Sequence, residues 1–171
     1  MSSSINYKDT LLEQSNLTPI HGKPTFKTLH NIRNKIKANA KSVYSNIRGV
    51  AHGHISLVFV NAQYMLILNM LFVCLTHLGP LIIQDGTTAH KNLNMRIADT
   101  KEVRLFRKMT GVKQSLVKHI VATVEEAYFE DIHNIMMNSI NETVAEVLTH
   151  LQENYSNLMT HKLLERKDIV K

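Results

Sequence analysis

From Gly49 to Gln84 the chain carries no Asp, Glu, Lys or Arg. Few folds can absorb such a block, so it constrains the architecture more than any other feature. Inside it, residues 55–75 hold only Ser56, Asn61, Gln63 and Asn69 as polar side chains. About 20 apolar residues are enough to cross a bilayer, so a membrane span over 55–75 is one solution. A helix at the centre of a globular core is the other. Three features favour the core. The four polar residues do not share one helical face, and both flanking blocks are basic, which leaves no charge asymmetry to orient a span. The segments on either side also have amphipathic patterns that need an apolar partner. The expectation is a buried central helix with a break near Asn69; the alternative is a membrane-associated protein with one span at 55–75.

The charges outside this block are unevenly placed. Residues 1–48 hold eight basic and two acidic residues, residues 85–118 eight and three, and residues 119–171 four and nine. The net charge of +6 over 171 residues therefore equals the excess of the first 48, while the remaining blocks cancel. A chain of this length fits one domain with a single core. One cysteine, Cys74, excludes an internal disulfide and a cysteine zinc site. With no compact apolar stretch in the Ser-rich first residues to suggest a secretory signal, a reducing, cytoplasmic location is expected. Residues 1–24 read as a flexible basic lead-in from which Leu11, Leu12 and Leu17 can dock on the body.

Helical periodicity dominates the rest. Phe26, Leu29, Ile32, Ile36, Ala40, Val43 and Ile47 form one stripe, with Thr25 as N-cap after Pro24 and Gly49 as the stop. Leu93, Ile97, Val103, Phe106 and Met109 predict a helix over 92–110 ending at Gly111. Residues 112–137 follow as one long helix or two with a bend near Glu125. Ser139 and Glu142 have capping-box spacing ahead of Ile140, Val144, Val147, Leu148 and Leu151. A last short helix carries Leu163, Leu164 and Ile169. No segment alternates long enough for a sheet. The fold class is all-α with about six helices: a lead-in at 1–24 and a helical domain at 25–171.

Catalytic chemistry finds little support. Ten histidines include His52-Gly-His54, but Gly53 makes that pair a loop, and no H-E-x-x-H occurs. Glu125, Glu126, Glu130 and Asp131 read as a solvated acidic face. Cys74 behaves as a small hydrophobe. Asp85-Gly86-Thr87 is only loosely like the protease D-[ST]-G, and no phosphate-binding or nucleophile-elbow motif is present. No catalytic, cofactor or metal residue is therefore assigned, and a non-enzymatic role is expected. The basic face of the first helix, Lys27, Arg33, Lys35, Lys37, Lys41 and Arg48, is the one candidate site, for nucleic-acid phosphates.

Several short runs occur together in a fixed order. They are Ile20 to Leu29 (Ile-His-Gly-Lys-Pro-Thr-Phe-Lys-Thr-Leu), Lys35 to Ala40, Ala51 to His54, Ala62-Gln-Tyr64, Gly79-Pro-Leu81 and Thr110-Gly-Val112. Asn138 to Ile140, Thr143-Val144, Val147 to Tyr155, Leu158-Met159 and Leu163 to Arg166 complete the series. From about residue 20 onward the chain resembles the Gag polyprotein of copia-type LTR retrotransposons. The resemblance implies an all-helical capsid-like domain that assembles with copies of itself around element RNA. It also implies a zinc knuckle, Cys-x2-Cys-x4-His-x4-Cys, downstream of the part seen here. Where relatives have a polar, Pro-bearing loop the chain has Met70 to Leu78, and Tyr155-Ser156 and Met159-Thr160 stand where they have Tyr-Gly and Pro. A degenerate copy of such an element, with no present role, is a further alternative.

Overall fold

The computed structural model describes residues 17–45, 53–69, 75–76, 79–134, 139–140 and 142–155. Arg48, Gly49 and Cys74, and the expected last helix through Leu163, Leu164 and Ile169, lie outside them, as do Leu11 and Leu12. The described residues are mostly helical, and the fold is all-α. Helix α1 spans Phe26–Ser42, α2 Asn61–Leu68, α3 Ala89–Val121 and α4 Val144–Tyr155. Short 3-10 segments occupy Ile55–Leu57 and Glu126–Ile132.

Helix α1 begins as its sequence dictates. The Thr25 hydroxyl accepts from the Thr28 N–H at 3.3 Å, and the Thr28 hydroxyl accepts from the Thr25 N–H at 2.8 Å. This reciprocal pair satisfies donors that a helix start leaves open. Leu29, Ile32, Ile36 and Ala40 are buried on one stripe. The end differs from the expected stop at Gly49: the helix closes at Ser42, with Val43 already extended. The reason lies in the returning chain. The His54 N–H donates to the Ala40 carbonyl at 2.7 Å, and the buried His54 ring sits 3.1 Å from the Val43 carbonyl through Nδ1. Gly53 has φ +59°, and a Cβ there would lie closer than 3.0 Å to the carbonyl oxygens of Ala40, Lys41 and Val43. The loop thus caps α1 by a close approach that only glycine permits.

The apolar block does not form the expected buried central helix. It breaks into the 3-10 turn, an extended Val60 and the eight-residue α2, which stops where Asn69 adopts a left-handed conformation at φ 50°, ψ 33°. The break near Asn69 is therefore present. Burial is not: Val58 and Tyr64 are buried, whereas Leu66 is 88% exposed and Val60, Met65 and Ile67 are exposed. A run this short and this evenly apolar has no polar side to turn outward, so much of its surface faces solvent. Among the described residues no helix is long and apolar enough to cross a membrane.

Helix α3 also departs from expectation, because it runs through Gly111. Met109, Val112, Leu116 and Ile120 form an unbroken buried stripe across that glycine. A mid-helix glycine costs about 1 kcal/mol relative to alanine, whereas burying one such side chain contributes about 1.5–3 kcal/mol. The stripe therefore outweighs the breaker. The bend near Glu125 is observed: α3 ends at Val121, and the 3-10 segment starts at Glu126. A two-residue antiparallel ladder then pairs His133 with Ile140 and Asn134 with Ser139. Ser139 is thus in a strand and not an N-cap. The capping box lies four residues on, where the Thr143 N–H donates to Glu146 Oε2 at 2.7 Å and the Glu146 N–H to Thr143 Oγ1 at 3.2 Å.

Helix α1 packs against α3 and α4, which also touch each other. Ile36, Val112, Leu116, Ile120, Val144, Val147 and Leu151 have no exposed surface. Phe129 and Val58 close the ends of this core. The lead-in, expected to be flexible through residue 24, is tied down from Leu17 onward. Leu17 and Ile20 pack on the core, and Pro24 is fully buried. The Ile20 N–H donates to the Thr123 carbonyl at 2.7 Å, and the Gly22 N–H to Glu125 Oε1 at 2.8 Å.

Candidate nucleic-acid interface

With Leu29, Ile32, Ile36 and Ala40 turned inward, the basic residues of α1 occupy the rest of its circumference. Successive residues are rotated by about 100°. Arg33, Lys37 and Lys41 therefore share one side, with exposed Lys27 at its margin. Lys35 lies about 200° from Lys37, on the opposite shoulder. Of the six candidates, then, three are brought together, Lys27 borders them and Lys35 is separated. Arg48 lies outside the described residues.

Helix α1 contains no acidic residue, and the groups that hold its charges are neutral. Arg33 is clamped between elements. Its Nη1 donates to Gln152 Oε1 on α4 at 2.9 Å, and its Nη2 to Gln63 Oε1 on α2 at 3.2 Å. Its Nε is buried without a hydrogen-bond partner among the described residues. A guanidinium held by two side-chain amides keeps its full charge while losing the freedom to swing, which pre-organises it toward an anion. The Lys37 ammonium sits 4.7 Å from the centre of the Phe59 ring, a cation–π geometry. Burial, and then the neighbouring Arg33 charge, hold Lys37 below the usual lysine value. Two cations that raise each other's energy favour an anion between them.

Aromatic groups accompany the charges. Phe26 and His30 stack with centroids 6.0 Å apart and planes 20° apart, and both are exposed. Their positions, 26 and 30, continue the stripe of 33, 37 and 41. Sequence reasoning missed this because Phe26 was counted with the core face; its 47% exposure places it at the edge. The signal was available in the step of four to His30.

The other sequence candidates resolve into structural roles. His54 caps α1. His119 is buried with Nδ1 3.4 Å from Asn39 Nδ2. His150 bridges the Tyr128 carbonyl and Asn154. Glu125, Glu126, Glu130 and Asp131 are exposed. Asp85 and Gly86 form a turn in which the Thr87 hydroxyl donates to the Gln84 carbonyl at 2.6 Å. Among the described residues no three His, Cys, Asp or Glu side chains are grouped to hold a metal.

A second concavity of about 630 Å³ lies between α3 and the 3-10 segment. Val117, Val121 and Phe129 contribute apolar surface, and Lys113, Lys118 and Glu126 contribute charge. Its mixed signs give it no clear ligand chemistry, in contrast to the single-sign stripe of α1. Comparison with known protein families, curated proteins and solved structures finds no match.

Proposed function

We propose that the chain is the capsid-like part of a Gag-type structural protein of copia-type retrotransposons, non-enzymatic, associating with copies of itself and touching RNA through α1. One observation carries this reading. The uncharged block presents Leu66 at 88% exposure and Ile82 at 80%, with Val60, Met65, Ile67 and Leu81 also exposed. Large exposed apolar side chains gathered in one stretch mark an interaction surface. A surface from a block without charges fits a second copy of itself, because no charge is stripped of water when like meets like. The ordered resemblance to Gag and the all-α fold agree with it.

The test is association as a function of concentration, followed by light scattering and sedimentation. The native chain is expected to form oligomers. The Leu66→Ser/Ile82→Ser double variant is expected to remain monomeric with an unchanged helical spectrum. A native chain that stays monomeric at every concentration and ionic strength sinks the assembly reading.

A specific observation favours the RNA contact alongside it: Arg33 and Lys37 stand side by side with only amides and a ring for company. Log affinity for RNA is expected to fall linearly with log salt concentration. Absence of binding at low salt removes this part of the proposal.

A further inference from the structure

We infer that the α1 stripe of Phe26, His30, Arg33, Lys37 and Lys41 is a platform for single-stranded nucleic acid, which it holds by stacking an unpaired base on the Phe26–His30 pair while the three cations follow the phosphates. The inference rests on the RNA reading above and goes further by assigning the strand state and the residues that read it.

The geometry supplies each part. Residues three and four apart on a helix lie about 5–6 Å from each other. Positions 26, 30, 33, 37 and 41 advance by four, three, four and four, so they form one continuous row about 22 Å long. Aromatic groups occupy one end of the row and cations the rest. A duplex offers phosphates but keeps its base faces covered. A single strand offers both, and binding to such strands combines basic tracks with aromatic stacking. The Phe26–His30 stack is already formed and exposed, so an added base extends it with little ordering cost.

The surface under the stripe limits how a base can bind. The dimple bounded by Phe26, His30, Arg33 and Gln152 has a volume of only about 30 Å³. That space suits a water molecule and not a base, so bases must lie on the rings and not insert beneath them. Arg33, fixed by Gln63 and Gln152, then marks the first phosphate position beyond the stack. Lys35, on the far shoulder, has no part in the row.

The experiment is fluorescence anisotropy with a labelled 20-nucleotide poly(U) strand and a duplex RNA of equal length, using the full chain at several salt concentrations. The single strand is expected to bind at least five-fold more tightly than the duplex. Phe26→Ala/His30→Ala should weaken single-strand binding by about five-fold or more, as alanine replacement of a base-stacking ring does, and leave duplex binding unchanged. Lys37→Gln and Lys41→Gln should each weaken binding and flatten the salt slope, and Lys35→Gln should change neither. Both rings are exposed, and a helical spectrum with an unshifted melting point verifies the fold of each variant. Equal affinity for duplex and single strand overturns the platform, as does full single-strand binding by the ring double variant, or loss by Lys35→Gln as large as by Lys37→Gln. Preferential capture by phosphatidylserine vesicles over RNA also overturns it. In those outcomes retained RNA binding leaves the broader reading standing, whereas no RNA binding at low salt removes both.

Discussion

At the residue scale, Gly53 and His54 show how a loop motif governs a helix. The pair stood out in the sequence as two histidines around a glycine, which suggested ligands. The structure uses the glycine for its missing Cβ and His54 for its backbone N–H and ring. That role depends on where the chain returns after residue 52, which no local pattern encodes. Gly53→Ala should cost about 2–4 kcal/mol, combining a strained positive φ with contact against three carbonyl oxygens; chemical denaturation measures it. His54 also sets a pH dependence. Burial, and to a lesser extent the Lys108 charge, hold its pKa below the usual 6.5, against the opposing effect of the Val43 carbonyl. The unfolded chain therefore binds a proton that the folded chain resists. Stability from this site is complete above about pH 6.5 and is lost as pH falls below it, by at most about 1.4 kcal/mol per pH unit. Replacing His54 with Gln should lower stability at neutral pH and flatten the curve between pH 6.5 and 5. A native curve already flat there would contradict the assignment.

At the element scale, periodicity made the interiors of α1, α3 and α4 legible, because a buried stripe leaves a direct trace in the sequence. Leu29, Ile32 and Ile36, or Val144, Val147, Leu148 and Leu151, are found where the three-and-four spacing puts them. Ends were less legible. Gly111 looked like a stop and is crossed, and Ser139 looked like a cap and sits in a ladder. Competing signals were present each time, and packing elsewhere decided between them. For α4 the rival was visible: Thr143 and Glu146 repeat the capping-box spacing of Ser139 and Glu142. Thr143→Ala should cost about 1 kcal/mol. The Thr143 N–H and hydroxyl hold the Glu146 carboxyl below its usual 4.5. Its contribution is therefore present above that pH and lost as pH falls through the lowered value. Glu146→Gln should remove that part of the acid dependence, read from thermal melts between pH 5 and 2. In the core, Ile36→Ala should destabilise by about 2–5 kcal/mol.

For the whole molecule, the fold class followed from the sequence, but the fate of the uncharged block did not. A buried helix, a membrane span and an exposed interface share one composition; only tertiary placement separates them, and here it leaves Leu66 and Ile82 in solvent. The same ambiguity affected the candidate site. Six cations were legible as a basic helix, yet the division between Lys35 and the Arg33–Lys37 side follows from which face the core claims. Association through the apolar surface should persist or strengthen as salt rises, whereas contact between the basic 85–118 and acidic 119–171 blocks should weaken as the Debye length shrinks from about 10 Å at 0.1 M to 3 Å at 1 M. Sedimentation at both salt levels separates the two. Finally, α3 is about 50 Å long, but its buried residues begin only at Met109. The packed half has already borne the cost of nucleation, so the half from Ala89 onward needs only propagation, one hydrogen bond per residue added. Such a helix melts from its free end like a zipper. Amide exchange along α3 should therefore rise in a gradient toward Ala89, and a binding event that seizes Leu93 and Ile97 would close the zipper without moving the core.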